Sequence, residues 1–284
     1  MKLLIICGPT ATGKTELAVQ LAKKFNGELV SADSRQVYRG MDIGTGKDRE
    51  KIDVPIWLYD VVNPDEEFSV SHYTKLAKHA IADISKRKKL PIIVGGTGLY
   101  IQALVEPFET TDIPPDTKLR EKLAMASVEE MQSMLDPKIL RSMNESDRQN
   151  PRRLMRKLEI ASSLQKNLQE KPLKEKNNIL MIGLTAPMPI LYRRIDERVD
   201  QRLRQGMANE VRLLVKRYGR NVPAMSALGY RSLEHWKRDE HRLAKRQMTW
   251  FKKQAHIVWF DVVDAGLRSK VAEAVRAWYT EVSS

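Results

Sequence analysis

Apolar and polar positions follow two rhythms along the first hundred residues. Short apolar runs stand at "KLLIIC" (2–7), "ELVSAD" (28–33), "VPIWLYDVV" (54–62) and "LPIIVGG" (90–96), and each reads as a strand. Between them the spacing becomes helical. In "KTELAVQLAKKF", Leu17 and Leu21 share a face with Ala18 or Ala22, and "SVSHYTKLAKHAIADISKRK" forms a second helix with Ser69 as its cap. Strand and helix in alternation predict a parallel sheet covered on both faces.

The rhythm changes after about Glu106. From there to Lys176 the periodicity is helical, with almost no strand signal. "IPPD" starts one helix and "NPRRLMRKLEIASSLQ" forms another, with Asn150 as cap and Pro151 in its first turn. "NNILMIGLTAP" restores a strand. A long amphipathic helix is predicted next, with Ile195, Val199, Leu203, Met207 and Val211 on its inner face at four-residue steps. The strand "HIVWFDV" and a terminal helix close the chain.

Composition narrows the class. The 284 residues include a single cysteine, Cys7, so an intramolecular disulfide and a multi-cysteine metal site are excluded. Cys7 is expected to pack as a small apolar residue. No run approaches the roughly 18 apolar residues of a membrane span, and the N-terminus lacks the pattern of a secretory leader. A cytoplasmic protein is expected, and a monomer, since no exposed apolar seam is evident. The net charge of +13 favours a polyanionic partner, nucleic acid or an anionic membrane surface. The charge is clustered: residues 216–253 hold eleven Lys or Arg against three acids, and residues 141–176 hold ten against five. Two clustered basic regions favour nucleic acid.

The chemistry begins at "GPTATGKT", residues 8–15, between a strand and a helix. In a G-x-x-x-x-G-K-T loop, Gly8 and Gly13 let backbone N–H groups turn inward around an anion. Pro9, Thr10, Ala11 and Thr12 complete the cradle, Lys14 neutralises phosphate oxygens, and the Thr15 hydroxyl suits Mg²⁺. Such a loop also accepts a nucleotide such as ATP. A hydrolytic motor would need an acidic residue at a neighbouring strand end, where this chain has "IIVGGTG". The fold class expected is therefore α/β, a P-loop NTPase-like parallel sheet flanked by helices. Its core takes residues 1–105 and 177–284, with a helical insertion domain at 106–176.

"SADSRQVYRGMDIGTGK" (31–47) places Asp33 at a strand's carboxyl end, where it can take a proton or hold a metal, or simply cap a turn. Arg35, Gln36 and Tyr38 add donors and a ring suited to a nucleobase. Thr97 sits in a second glycine-rich turn. Arg152 with Arg156, and Arg153 with Lys157, form a basic stripe at i, i+4. "SALGYRSL" and "RQMTWFKK" mix aromatics with cations, as single-stranded nucleic acid sites do, although Tyr230 and Trp250 are equally suited to a core. These residues alone indicate a P-loop, Mg²⁺-dependent, RNA-binding enzyme. A small-molecule kinase and a nucleotide-dependent RNA-binding protein without covalent chemistry remain open alternatives.

Taken in order, "GPTATGKT", "SADSRQVYRGMDIGTGK", "VGGTGLYIQAL", "NPRRLMRKLEI", the "RRIDERVDQRL…G…EV" helix, "ALGYRS" and "KRQMTWFKK" resemble the tRNA dimethylallyltransferases. The matching stretches run from residue 3 to about 254. "TGKD" for the family's more usual "TAKP", and "WLYDVV" for a histidine-bearing segment, are departures. The resemblance implies transfer of a dimethylallyl group from its diphosphate to the exocyclic amine of the adenosine 3′ of a tRNA anticodon. It implies that Gly8 to Thr15 hold the diphosphate, with Arg198 as a further ligand, and that Asp33 acts as base. Asp33, Ser34, Arg35 and Gln36 would meet the adenosine. Thr97, Arg120, Arg152, Arg153, Leu154, Met155, Arg156, Ser226, Ala227, Leu228, Gly229, Tyr230 and Arg231 would meet the tRNA.

Overall fold

A computed structural model describes residues 1–47, 49, 53–106, 113, 115–163 and 178–280. Six parallel strands form one sheet in the order β3-β2-β4-β1-β5-β6. They are β1 (Leu3–Cys7), β2 (Gly27–Ser31), β3 (Ile56–Trp57), β4 (Leu90–Val94), β5 (Ile179–Thr185) and β6 (Ile257–Asp261). Alternation along β1 serves two cores. Leu3, Ile5 and Cys7 face α2 (Val70–Lys86) and α3 (Gly98–Val105), whereas Leu4 and Ile6 face α1 (Lys14–Lys24) and the terminal helix α13 (Leu267–Thr280). The expected doubly covered α/β sheet is present. Cys7 is fully buried, and burial pushes its thiol up to about 12, which removes it from nucleophilic chemistry.

The strand order positions the site. β4 lies between β2 and β1, with Leu29 opposite Ile92 and Leu4 opposite Ile92 in register. The carboxyl ends of β1, β4 and β2 therefore stand side by side, where open α/β sheets place their ligands.

The insertion comprises α4 (Thr117–Leu123), α5 (Val128–Ser133), α6 (Pro137–Ser142), α7 (Glu145–Arg148) and α8 (Pro151–Ser163). They close on their own small core of Leu123, Met131, Leu135, Met143 and Leu154. Asn150 caps α8 as expected, its Oδ1 accepting from the Arg152 and Arg153 amides. The expected end of the insertion at residue 176, Pro114 and the helical reading of residues 164–176 lie outside the described residues, whereas its expected start, Glu106, caps the end of α3.

Two expectations are corrected. The predicted long helix after β5 is two helices, α9 (Met188–Arg204) and α10 (Met207–Tyr218). Gly206, at φ 101°, caps α10 in the left-handed region and turns the chain. Four-residue steps also drift around a helix of 3.6 residues per turn, so Leu203 is exposed while Arg202 is buried. The predicted strand over residues 54–62 shrinks to Ile56–Trp57, because Leu58 and Asp60 take φ 69° and 56°. Lys47 donates to both Asp60 (2.5 Å) and Asp42 (3.0 Å) there, fastening the 42–47 turn to that segment. Asp48 of the departing "TGKD" lies outside the described residues.

The remaining helices, α11 (Leu228–Arg231) and α12 (Trp236–Phe251), complete a third core with α9 and α10. It packs beneath residues 37–41.

Candidate active site

A cavity of about 960 Å³ opens at the carboxyl edge of the sheet. Its floor is the loop after β1. Gly8 has φ 131°, and a Cβ there would stand 2.3 Å from the Leu184 carbonyl oxygen, so glycine is required by conformation and by close approach. Gly13, at φ 78°, opens α1 without a side-chain cap, leaving N–H groups turned toward the cavity. Thr12 is buried and its hydroxyl donates to the Pro9 carbonyl at 2.9 Å. Lys14 Nζ donates to the same carbonyl at 2.6 Å.

Burial, and next the Arg198 guanidinium, lower the Lys14 pKa to about 8, while Asp33 favours the charged form. A cation held close to its titration point in a half-enclosed site is prepared for an anionic ligand. The cavity lining agrees, with seven Lys or Arg side chains against four carboxylates. Arg198 reaches in from α9. Its Nη2 lies 2.5 Å from the Thr10 hydroxyl and 3.2 Å from Glu240 Oε2 on α12. Arg198 is thus part of the cavity wall, and the buried Glu240 balances its charge.

Beyond β2, Asp33 lines the same cavity, and its Oδ1 accepts from the Arg35 amide at 2.7 Å. The turn cap is present, and Asp33 also shares the cavity with Lys14 and favours its charged form. The Thr97 hydroxyl accepts from the Ser34 amide at 3.1 Å, joining the ends of β2 and β4. Gln36 also lines the cavity, but its amide works within the protein. It accepts from the Ser31 hydroxyl at 2.7 Å and donates to the carbonyls of Thr45 and Gly46 at 3.2 and 3.3 Å. Arg35 Nη1 donates to the Ser226 hydroxyl at 3.1 Å, bringing the Ser226–Tyr230 segment against Asp33–Gln36 as one wall.

Glycines replace a motor's aspartate after β4 for a steric reason. A Cβ at Gly95 would lie 2.2 Å from the Ala32 oxygen, and one at Gly98 would lie 2.3 Å from the Trp250 ring. Close packing requires these glycines, and Trp250 is a packing residue there. Tyr230 is buried and donates to Glu210, whose carboxylate also accepts from the amides of Asp42 (3.0 Å), Ile43 (2.8 Å) and Gly44 (3.1 Å). Gly229 packs under the Trp236 ring.

Other expected ligands lie elsewhere. Arg231 pairs with Asp239 outside the cavity lining. Arg120 and Arg156 converge on Glu159, a fully buried carboxylate, at 2.6 and 3.0 Å. They neutralise a charge inside the insertion. Leu154 is fully buried in the insertion core, so its side chain packs and does not face a ligand. Met155 packs against that core, Arg153 pairs with Asp147, and Arg152 is exposed. None of the described insertion residues lines the cavity. Sequence reasoning missed Arg194, Arg202, Glu240, Arg246 and Gln247, which do. The mixed "RQMTWFKK" stretch was the one signal for the last two.

Comparison with known proteins identifies the family. A family model described as IPP transferase matches residues 36–254. A tRNA dimethylallyltransferase of Anoxybacillus flavithermus is 40% identical over 283 residues, covering 93% of this chain and 91% of that protein. One from Bacillus subtilis is 37% identical, covering 94% of each. The crystal structure of the tRNA isopentenylpyrophosphate transferase from Bacillus halodurans is similar at a TM-score of 0.73 and 37% identity, over 99% of this chain and 97% of that one. A eukaryotic dimethylallyltransferase acting on tRNA gives a TM-score of 0.80 at 26% identity, over 98% and 79%.

Proposed function

The chain belongs to the IPP transferase family, and from that premise we propose that it prenylates tRNA. The donor is dimethylallyl diphosphate, and the acceptor is the exocyclic N6 of the adenosine 3′-adjacent to the anticodon. The observation that carries this reading is a single cavity shared by a phosphate loop and by Asp33 and Thr97 on neighbouring strand ends. One edge thus serves both an anionic leaving group and an amine that must lose a proton.

The N6 lone pair forms a bond to the allylic carbon as the carbon–oxygen bond to diphosphate breaks. Lys14, the loop amides and Arg198 meet the charge that grows on the departing diphosphate. Asp33 accepts the proton released from the amine. An adenine amine is a poor nucleophile, so orientation by the walls of the cavity supplies much of the rate. The base must leave its stack to enter. Among the described residues no cluster of three or more His, Cys, Asp or Glu is suited to a metal. Mg²⁺ would be held by the Thr15 hydroxyl and by the substrate's own phosphate oxygens, adding to charge stabilisation. The basic insertion, which we assign as a separate domain spanning residues 106–176, would contact the tRNA body, with the exposed Arg152 and Arg153 at its surface. The reading sets a monomer in the cytoplasm, with its tRNA. No described helix is long and apolar enough to cross a membrane.

The test is one incubation of purified protein, Mg²⁺, labelled dimethylallyl diphosphate and unmodified tRNA, with the nucleosides resolved afterwards. Label in N6-isopentenyladenosine, lost in Lys14→Ala and Asp33→Ala, supports the assignment. Consumption of ATP with phosphate transfer and no prenylated nucleoside overturns it in favour of a kinase.

A further inference from the structure

Gln247, on the cavity side of α12, hydrogen-bonds two strand ends at once. Its Oε1 accepts from the Thr10 amide at 2.8 Å, and its Nε2 donates to the Gly96 carbonyl at 3.0 Å. Thr10 belongs to the phosphate loop after β1, and Gly96 precedes Thr97 in the turn after β4. The backbone ladder joining these strands runs out to the Gly95 amide on the Ile6 carbonyl, at 3.2 Å. One residue further, a side chain delivered from more than 150 residues away continues the ladder. A primary amide suits this place because it carries an acceptor and a donor on one rigid plane. Glycine at position 96 makes room for it, since a Cβ there would lie 2.3 Å from Nε2.

The tie is continuous with both halves of the cavity. Thr10 is also held through its hydroxyl by Arg198. On the other side, Thr97 donates its amide to Ala32 at 3.1 Å and accepts from the Ser34 amide, next to Asp33. A shift of the Gly96 turn relative to the phosphate loop therefore changes the separation of Asp33 from the loop. We propose that Gln247 is a positioning residue for the transfer reaction, fixing the distance between the diphosphate site and the acceptor site. This inference rests on the function proposed above. Displacement at carbon needs the reacting atoms about 3–3.5 Å apart and aligned, and a misplacement of about 1 Å costs on the order of 100-fold.

The test is single-turnover kinetics with both substrates saturating, alongside the affinities for dimethylallyl diphosphate and tRNA measured separately. Gln247→Met keeps the side-chain length and removes both hydrogen bonds. The transfer rate constant is expected to fall about 10- to 100-fold, with each affinity within about threefold of wild type and the melting temperature little changed. Gly96→Ala strikes the same tie from the other side, since the new Cβ would crowd Gln247 at Nε2 (2.3 Å) and Cδ (3.3 Å) and stand at an ordinary 3.5 Å from the Gly8 oxygen. It should slow transfer comparably, and Gly96→Ala with Gln247→Ala should be no slower than Gln247→Ala alone. Transfer at the wild-type rate in Gln247→Met overturns the inference, as does additive loss in the double variant. Tighter diphosphate binding without slower transfer also overturns it, because Gln247 would then merely fill the Thr10 amide until phosphate displaces it. A wild-type protein that makes no prenylated nucleoside overturns the proposed function itself, a result separate from all of these.

Discussion

Lys14 titrates close to physiological pH because it is buried and because Arg198 stands beside it; together these hold it at about 8. A lysine with a lowered value is charged below that value and neutral above it. With a titration point of about 8, roughly nine in ten free-enzyme lysines are charged at pH 7 and about one in ten at pH 9. The value of kcat/KM for dimethylallyl diphosphate reports groups of the free enzyme, so it should fall about tenfold between pH 7 and pH 9. The assay is initial-rate prenylation with both substrates well below saturation across that range, so that the free enzyme predominates. Two variants locate the cause. Arg198→Gln removes the neighbouring cation, so the break should move to higher pH, although overall efficiency falls with the lost ligand. Lys14→Arg keeps a charge at every pH tested and should show no break, whatever its absolute rate. A wild-type profile that stays level to pH 9, or a break that stays put in Arg198→Gln, would refute the reasoning.

Other predictions follow from the same interactions. Glu28 is held at about 2, chiefly by the Arg87 guanidinium, with Lys89 and Trp57 also bonded to it. Its folded value lies below the unfolded value of about 4.3, so it stabilises the protein above pH 4.3 and that contribution is lost as pH falls towards 2. Denaturation midpoints measured from pH 6 to pH 2.5 should decline less steeply in Glu28→Gln than in wild type; parallel declines would show the carboxylate is not responsible. Each oxygen of Glu210 accepts from two donors, so either orientation of the amide in Glu210→Gln sets an NH₂ against two of them. This should cost about 1–3 kcal/mol and raise KM for tRNA with little effect on that for dimethylallyl diphosphate, checked by thermal melts and steady-state kinetics. Leu154→Ala should destabilise the small insertion core by about 2–5 kcal/mol. Hydrogen exchange should then rise across α4–α8 and not across the sheet, and tRNA affinity should fall while diphosphate affinity holds.

Local chemistry written in contiguous residues was legible in the sequence. A loop from Gly8 to Thr15 between a strand and a helix admits one anion-binding geometry, because its glycines and backbone amides act within eight positions. Alternation of strands and helices requires a parallel sheet, and Ser69 and Asn150 cap their helices through neighbours three residues away or fewer. Asp33 at a carboxyl strand edge belongs to the same class. The order of the strands, with β4 seated between β2 and β1, was decided by tertiary packing, and it alone puts Thr97 against Ser34. Periodicity says that a helix has a buried face and leaves open what covers it. That is why Arg120 and Arg156 proved to be partners of Glu159, Leu154 a core residue, and the predicted single helix two, broken at Gly206. It is also why the partners of Gln247, Glu210 and Glu240 were not legible. Each acts through hydrogen bonds to residues far away in the chain, and such pairings exist only once the sheet and the C-terminal helices have closed around the cavity.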